Sequence, residues 1–403
     1  MVWAIKKVFI RIFQFVFYYF AYLLRWREPE LLEGNGSIRK LPKYIKSKKI
    51  KKVLIVTDKG IVKLNLMAPL LEELEKEGIE YIVFDNVEPN PKIDNIEAAL
   101  AVFKENGCEA TIAVGGGSSI DTAKAMCARL ARPKKSVEKL GGLFKVLKRI
   151  PPLYAVPTTA GTGSEATIAS VITNRETKHK YAINDLSLIP HAAVLDPELT
   201  IGLPPFITAT TGMDALTHAV EAYITVNVPK KCKNACEKAV NIVFNKLEKV
   251  YADGKDIEAR KDMLYASYLS GMSFTRCGLT YVHPIAHTLG GLYNVPHGLA
   301  NAVILPYCLE YYGAQVQKKL AALADAAGIT TESQSEKEKS DAFIAGVRRL
   351  NKNMGIPEKF DCIKKEDIPQ MIKWALHEAH PIYQSPVLLN AVQLEEIILK
   401  IMA

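Results

Sequence analysis

Two loops rich in small residues restrict the fold of this chain most strongly, because each follows directly on a short apolar run. The first run, residues 110–114, leads into a glycine loop at 115–118 and then into a helical stretch. The second run, residues 153–157, leads into a loop at 158–165 that is rich in threonine and glycine. Such runs are typical of buried parallel strands. The pattern therefore predicts a parallel sheet covered by helices.

Further apolar runs extend this sheet, and the second half of the chain has a different pattern. Beyond a proline-rich turn at 202–205 the periodicity is helical, with few β-branched runs. A chain of 403 residues exceeds what one hydrophobic core usually supports, so we expect more than one domain. The additional predicted strands are 53–57, 80–85 and 193–196. The predicted organisation is a basic aromatic helix at 1–27, an α/β domain at 28–204 and a helical domain at 205–403.

Both loops have a composition that suits a nucleotide. Gly115, Gly116 and Gly117 let backbone N–H groups approach a phosphate, and the start of the following helix favours an anion. The spacing is not the G-x-G-x-x-G fingerprint, and a tight turn from strand to helix would also need glycine. The hydroxyls of the second loop can contact a ribose or a phosphate. Two such loops in one α/β half favour a nucleotide site over two structural turns.

The histidines are clustered in a way that favours a metal site. His283 and His287 are four residues apart and so share a helix face, and Asp214 and His218 have the same spacing. His297 follows a proline at the junction of a loop and a helix. One carboxylate with three imidazoles is a full ligand set for Zn(II) or Fe(II). Any one histidine alone would be read as an ordinary core or surface residue, but two such pairs favour a metal.

With these motifs the chain resembles the iron-containing, or group III, alcohol dehydrogenase family, which shares its fold with dehydroquinate synthase and glycerol dehydrogenase. The resemblance covers roughly residues 30–400 and rests on segments 115–118, 157–165, 212–219 and 283–297. It implies a Rossmann-like dinucleotide-binding domain followed by an all-helical metal-binding domain, with the active site in the cleft between them. It also implies metal-dependent hydride transfer between NAD(H) and a short-chain alcohol or aldehyde.

The resemblance gives individual residues their expected roles. The metal ligands fall on Asp214, His218, His283 and His297, and they suit Fe(II), with Zn(II) as the alternative. His287 falls beside the nicotinamide, where it would either carry the proton of the alcohol or orient a ligand. The cofactor contacts fall on Gly115, Gly116, Gly117, Ser118, Thr158, Thr159, Thr162 and Lys180.

Asp58 bears on the choice between NAD and NADP. It follows the predicted strand 53–57, where a carboxylate can accept hydrogen bonds from the ribose hydroxyls of adenosine. The same charge would repel the 2′-phosphate of NADP. Lys59 and Lys63 could screen that phosphate, but their side chains are more stable in water. We therefore expect a preference for NAD.

The arm at residues 1–27 is the least ordinary segment. Lys6 and Lys7 precede an apolar, aromatic run, and Arg25 and Arg27 follow it. Its uncharged part, residues 12–24, is shorter than the roughly 20 residues of a membrane-spanning helix. The composition is typical of a helix lying on an anionic membrane surface, which predicts peripheral membrane contact. Docking of this helix on its own domain or on a second subunit is the alternative.

Charge and cysteine content indicate which class of partner and which cellular compartment to expect. Residues 1–63 have a net charge of +11, which leaves −2 for the remaining residues. The basic character therefore belongs to the N-terminal part and does not indicate nucleic-acid binding. Seven cysteines without a C-x-x-C pair predict a reducing, cytoplasmic location. We also expect a homo-oligomer that acts on a small alcohol or aldehyde.

Three alternatives remain at this point. A glycerol or diol dehydrogenase, or a dehydroquinate synthase, would have the same fold, but residues 157–165 match the alcohol dehydrogenases best. A metal enzyme without nucleotide, such as a hydrolase or an oxygenase, would leave both loops unused. A membrane-associated scaffold with a vestigial fold is disfavoured because all four ligand positions are intact.

Overall fold

The computed structural model describes residues 2–24, 26–176 and 180–403, so Arg25 of the predicted cationic flank lies outside the described residues. Contacts divide the chain into two compact units. One consists of Trp26–Leu203 and Gly254–Tyr268, and the other of Met1–Arg25, Pro204–Asp253 and Leu269–Ala403. Neither unit is therefore continuous in the sequence.

The first unit contains the strands. In chain order they are β1 (Glu30–Glu33), β2 (Lys52–Val56), β3 (Glu80–Phe84), β4 (Ala110–Gly115), β5 (Gly142–Leu143), β6 (Leu153–Pro157), β7 (Ala169–Thr173), β8 (Lys180–Asn184) and β9 (Ala192–Leu195). Six of them form a sheet in the order β1-β9-β6-β4-β2-β3, and all neighbouring pairs in it are parallel. The predicted parallel sheet is confirmed. A small second sheet, β5-β8-β7, pairs β7 and β8 antiparallel.

The helices follow the same chain order. They are α1 (Val2–Leu23), α2 (Leu41–Ser47), α3 (Lys59–Lys63), α4 (Ala68–Lys76), α5 (Ile93–Glu105), α6 (Gly117–Ala131), α7 (Val137–Leu140), α8 (Pro205–Ile224), α9 (Lys230–Ala252), α10 (Ile257–Cys277), α11 (Val282–Tyr293), α12 (His297–Tyr312), α13 (Gln317–Ala327), α14 (Glu336–Asn353), α15 (Ile368–Ala379) and α16 (Ala391–Ile401).

Strand β2 explains why the sheet needs helices on both faces. Leu54 and Val56 pack into the core formed with α5 and α6, whereas Val53 and Ile55 pack into the core formed with α2 and α4. Successive side chains of a strand point to opposite faces, so a strand that is apolar throughout must be buried on both. The central strands thereby hold the loops at their carboxyl ends in fixed positions.

The second unit is helical, as predicted. Its central helix is α8, whose residues from Thr208 to Ile224 are almost all buried. A helix buried on all sides is expected to be apolar all round. The acidic and histidine side chains in α8 are therefore exceptions that require partners. None of the helices in the described part of the chain is both long enough and apolar enough to cross a membrane.

Helix α1 packs one face against the segment between α15 and α16. Arg11 donates to the carbonyl oxygens of Ser385 and Pro386, both at 2.9 Å. The amide of Gln14 donates to the carbonyl of Tyr383 at 2.6 Å. The two polar residues that interrupt the apolar run thus attach the arm to its own unit.

Candidate metal and nucleotide sites

The four residues predicted as metal ligands lie together in the helical unit. Asp214 and His218 are one turn apart on α8, His283 is at the start of α11, and His297 begins α12 after Pro296. One potential ligand atom from each of the four lies within 4.8 Å of the others. Three helices therefore direct one carboxylate and three imidazole side chains toward one point.

The distances within this cluster suit a small cation. Oδ1 of Asp214 lies 3.9 Å from Nε2 of His283 and 3.7 Å from Nε2 of His297. The two Nε2 atoms of His218 and His283 are 2.8 Å apart. Tetrahedral ligands at about 2.0–2.2 Å from a metal are separated by roughly 3–4 Å, which matches most of these spacings. The buried Nδ1 of His218 has no hydrogen-bond partner within the described chain.

Burial makes this cluster costly without a positive charge. Asp214, His218 and His283 are almost fully buried, and the side chain of His297 is 27% exposed, so the cluster opens at His297. Burial raises the pKa of Asp214 and lowers the pKa of His283. A divalent cation would offset the shift of Asp214, since it favours the ionised carboxylate, and it would act in the same direction as the shift of His283, since it favours the neutral imidazole. The donor set and its burial therefore fit a bound Fe(II) or Zn(II).

Glu221 orients His283. Its Oε2 is hydrogen-bonded to Nδ1 of His283, and its Oε1 accepts from the backbone N–H groups of Thr280 and Val282 at 2.9 and 3.1 Å. Burial raises the pKa of Glu221 to about 7. A carboxylate in this position holds the proton of His283 on Nδ1 and leaves Nε2 as a lone-pair donor toward the cluster. His218 is also held, stacked between Phe274 and His283 with centroids at 4.3 and 4.4 Å.

Two residues of α12 complete the arrangement. The amide nitrogen of Asn301 lies 2.7 Å from Oδ1 of Asp214, 3.0 Å from Nε2 of His283 and 3.2 Å from Nε2 of His297. A Cβ atom at Gly298 would lie 2.2 Å from the carbonyl oxygen of Thr210. Only glycine allows α12 to begin this close to α8, and this approach brings His297 to Asp214.

Glu221→Gln is the direct test of how His283 is oriented. The amide would present an N–H group to Nδ1 of His283, which forces the proton onto Nε2 and removes its lone pair from the cluster. We expect metal affinity to fall by about 10–100-fold, as is usual when such a partner is lost. Competition with a chromogenic chelator measures this. Glu310→Gln, which alters an ion pair with Arg348 on the surface, should leave affinity unchanged. Unchanged affinity in Glu221→Gln would contradict the assignment.

His287 lies beside the cluster and has its own carboxylate. Its ring stacks on that of His297 with centroids 5.1 Å apart. Its Nδ1 lies 2.9 and 3.0 Å from the two carboxylate oxygens of Glu378, which also accepts from the hydroxyl of Tyr383 at 2.9 Å. Donation from Nδ1 to Glu378 leaves Nε2 of His287 to accept a proton.

The glycine and threonine loops predicted to bind nucleotide lie against each other in the first unit. Gly115 has a φ of +148°, and a Cβ there would lie 2.4 Å from Oγ of Ser119. A Cβ at Gly116 would meet Thr159 at 3.4 Å, and one at Gly117 would meet Thr162 at 2.7 Å. The glycines therefore bring the two loops into contact at the start of α6, where N–H groups are available to a phosphate. Ser118 is half-buried there, and Thr158 is buried with its N–H bonded to the carbonyl of Gly115.

Buried charged side chains of α6 hold the end of the second loop and the residues that follow it. Lys124 is fully buried and donates to both the carbonyl and the hydroxyl of Thr167, at 2.9 and 2.8 Å. Asp121 accepts from the hydroxyl of Ser164 at 2.6 Å. Burial lowers the pKa of Lys124 to about 8 and raises the pKa of Glu165 to about 7. These contacts fix the loop independently of any ligand.

Asp58 and Lys180 have structural partners of their own. Asp58 is the N-cap of α3, and its Oδ1 accepts from the N–H groups of Gly60 and Ile61. Its Oδ2 faces Gly115, with 3.5 Å to a Cβ built there, so one oxygen lies at the glycine loop. Lys180 is buried and donates to Oδ1 of Asn90 at 2.6 Å. The predicted cofactor contacts of both residues stay predictions.

Sequence reasoning missed the carboxylates and the amide that surround the ligands. Glu221 is three residues after His218, and Asn301 is four after His297, so helical spacing could have indicated both. Glu378 could not have been found in this way. It is 91 residues from His287 in the sequence.

Family models match both units. The model described as "Iron-containing alcohol dehydrogenase" matches residues 29–197. The model described as "Fe-containing alcohol dehydrogenase family, C-terminal" matches residues 208–402. Together they cover most of the chain, and residues 1–28 fall outside both.

Individual proteins with similar sequences are also alcohol dehydrogenases or diol dehydrogenases by name. "Alcohol dehydrogenase 4" of Saccharomyces cerevisiae (strain YJM789) is 40% identical over 351 residues, which are 86% of this chain and 90% of that protein. "1,3-propanediol dehydrogenase" of Klebsiella pneumoniae is 40% identical over 334 residues, 82% of this chain and 86% of that protein.

Solved structures agree in fold. A crystal structure of 1,3-propanediol oxidoreductase has a TM-score of 0.90 and 36% identity, covering 94% of this chain and 100% of its own. The sulfoacetaldehyde reductase of Bifidobacterium kashiwanohense, solved in complex with NAD+, has a TM-score of 0.82 and 28% identity, covering 94% and 98%.

Proposed function

Because this chain belongs to the iron-containing alcohol dehydrogenase family, we propose that it transfers hydride between NAD(H) and a short-chain alcohol or aldehyde, with Fe(II) as its metal. The observation that carries this proposal is the convergence of Asp214, His218, His283 and His297 on one buried point. A buried carboxylate among three imidazoles has little structural value without a cation.

A divalent ion at this position would act as a Lewis acid, lowering the pKa of an alcohol hydroxyl or polarising an aldehyde carbonyl. The residues of this chain orient the metal ligands. Glu221 keeps Nε2 of His283 directed into the cluster. Asp214 contributes the only negative charge among the four ligands.

His287 is the residue that we assign to the proton. Its Nδ1 is held by Glu378, which keeps the ring in one orientation and favours a proton on Nδ1. In alcohol oxidation Nε2 of His287 would accept the hydroxyl proton, and in aldehyde reduction it would return a proton to the product oxygen. The alternative role, orienting His297 through ring stacking, predicts loss of metal rather than of proton transfer in His287→Gln.

For the cofactor we propose that the pyrophosphate of NAD lies on Gly115, Gly116, Gly117 and Ser118. The contact between this loop and Thr159 and Thr162 supports a shared surface for the two loops. Thr158 and Lys180 remain proposed contacts of the same cofactor. The nicotinamide accepts or supplies the hydride.

Anaerobic purification with metal analysis, followed by NADH oxidation with short aldehydes and hydroxyaldehydes, tests this function. Diol and hydroxyaldehyde substrates belong in the screen because two of the similar proteins reported above are named for 1,3-propanediol. We expect near-stoichiometric iron and NADH oxidation with at least one aldehyde. Metal binding without any change in NADH fluorescence would favour a metal enzyme that uses no nucleotide. Zinc in place of iron would change the proposed ion and leave the function intact.

Asp58→Asn tests the proposed preference for NAD over NADP. An asparagine can still cap α3, so the variant removes the charge while keeping the helix start. We expect the unmodified enzyme to use NADH more efficiently than NADPH by about tenfold or more, and this ratio to fall by about tenfold in Asp58→Asn. Steady-state kinetics with both cofactors measures it. Glu72→Gln, an exposed carboxylate paired with Arg39 in the same unit, is the matched control. Equal use of the two cofactors by the unmodified enzyme would contradict the role of Asp58.

We further propose that the enzyme is a cytoplasmic homo-oligomer that contacts a membrane peripherally through residues 1–27. None of the seven cysteines, all of which lie in the described part of the chain, is in a disulfide bond, which is consistent with a reducing compartment. Light scattering coupled to size-exclusion chromatography measures the oligomeric state, and we expect more than one subunit per particle.

A further inference from the structure

Helix α1 presents an uninterrupted apolar face to solvent. Nine large side chains on it are 49–81% exposed. They are Ile5, Val8, Phe9, Ile12, Phe15, Val16, Tyr19, Phe20 and Leu23. Their spacing of three or four residues puts them on one side of the helix. Contiguous exposed apolar surface of this kind marks a site of interaction.

The opposite side of α1 is fixed to the protein. Ile10 and Gln14 are buried, and Arg11 is bonded to the two carbonyls of the segment between α15 and α16. The ring of Trp3 lies 5.9 Å from that of His380 in the same segment. These contacts hold α1 between Trp3 and Gln14, so its apolar face has a defined direction.

A groove of about 850 Å³ runs between α1 and the beginning of α16. Its apolar walls include Trp3, Phe15, Pro386 and Leu388. Lys7 and Arg11 supply positive charge to the same groove. Arg11 is already used by backbone carbonyls, so Lys7 is the cation that can meet an external anion. Apolar walls beside a cation fit an amphiphile with an anionic head group.

The charge of the arm indicates which partner covers the apolar face of α1, a lipid bilayer or a second copy of the chain. Residues 1–27 carry five cations, Lys6, Lys7, Arg11, Arg25 and Arg27, and no acidic residue. Two copies of α1 packed face to face would bring like charges together in either orientation. An anionic lipid surface supplies the opposite charge and also accepts the apolar face. Interfacial helices combine these two contributions.

We infer that α1 lies flat in the interface of an anionic phospholipid bilayer, with the Ile5-to-Leu23 face in the acyl region and Lys7 at a lipid phosphate. This inference rests on the membrane contact proposed above and is independent of the redox chemistry. At 22 residues and about 1.5 Å per residue, the helix extends over roughly 33 Å of membrane surface.

Flotation of the full-length metal-loaded enzyme with vesicles tests this inference. One vesicle type contains phosphatidylcholine alone and the other contains phosphatidylserine as well. We expect binding mainly to the vesicles with phosphatidylserine, with partial loss at high salt. The double variant F9D/V16D should bind on the order of a hundredfold more weakly. Each change removes an apolar side chain that would be buried in the bilayer, and each adds a negative charge. Lys7→Gln should weaken binding to anionic vesicles only.

Leu64→Asp is the matched control, since Leu64 is 63% exposed and lies in the other unit. It should bind vesicles like the unmodified enzyme. NADH-dependent turnover and light scattering are recorded for each variant, and F9D/V16D should retain both its activity and its oligomeric state. Failure of the unmodified enzyme to float, or undiminished flotation of F9D/V16D, would overturn the inference. Dissociation of an oligomer in F9D/V16D would show instead that a second copy covers this face.

Discussion

Changing His218 or His283 to alanine is expected to remove nearly all bound metal and to reduce turnover by about a thousandfold or more. Both side chains are buried, and each substitution removes a ligand nitrogen that the remaining ligands cannot replace. NADH affinity should change little, because the glycine and threonine loops make no use of these histidines. Metal content by mass spectrometry, turnover and NADH fluorescence titration together measure the result.

His377→Ala is the control for this experiment. His377 is an exposed histidine on α15 and lies outside the ligand cluster. The variant should keep full metal content and turnover. Wild-type metal content in His218→Ala or His283→Ala would show that the ligand assignment is wrong.

Gly298→Ala is expected to damage the metal site although Gly298 is not itself a ligand. Its Cβ would meet the carbonyl oxygen and carbon of Thr210 at 2.2 and 2.8 Å, and neither backbone atom can move aside alone. Helix α12 would have to shift away from α8 and carry His297 away from Asp214. We expect the free energy of unfolding to fall by about 3 kcal/mol and most metal to be lost. Denaturant unfolding and metal analysis measure both effects.

Two other glycines provide a graded comparison. A Cβ at Gly212 would also come close, at 2.2 Å, but to the flexible side chain of Leu247. Gly212→Ala should therefore lower the free energy of unfolding by less than Gly298→Ala, and the variant should keep its metal. A Cβ at Gly202 would meet nothing within 4 Å, so Gly202→Ala should be nearly neutral. Equal stability of Gly298→Ala and Gly202→Ala would contradict the described approach of α12 to α8.

The main sheet was predictable because its central strands are buried on both faces. Such strands appear as continuous apolar runs, as in β2 and β4, where nearly every residue is buried. Strand β1 was not predicted, because it is four residues long and has glutamate at both ends. The small sheet was also missed. Its strand β7 alternates between buried and half-buried residues, and β5 has only two residues.

The ligands were predictable to the extent that helical spacing brings them together. Asp214 with His218, and His283 with His287, reveal their pairing through the interval of four residues. Nothing in the sequence states that α8 and α11 meet at these pairs, or that Glu378 reaches His287. Tertiary packing decides both. The same limit applies to the division into compact units. Residues 254–268 belong to the first unit although they lie between two segments of the second, Pro204–Asp253 and Leu269–Ala403.

Isotope transfer tests the central claim most directly. The enzyme is stripped of metal, reloaded anaerobically with Fe(II), and incubated with an aldehyde and NADH deuterated at the transferring C4 position. Mass spectrometry of the alcohol product then reports where the deuterium has gone. We predict deuterium on the carbinol carbon with the iron-loaded enzyme and almost none with the metal-free enzyme. Equal transfer by the metal-free enzyme, or no transfer by the iron-loaded enzyme to any aldehyde tested, would contradict metal-dependent hydride transfer.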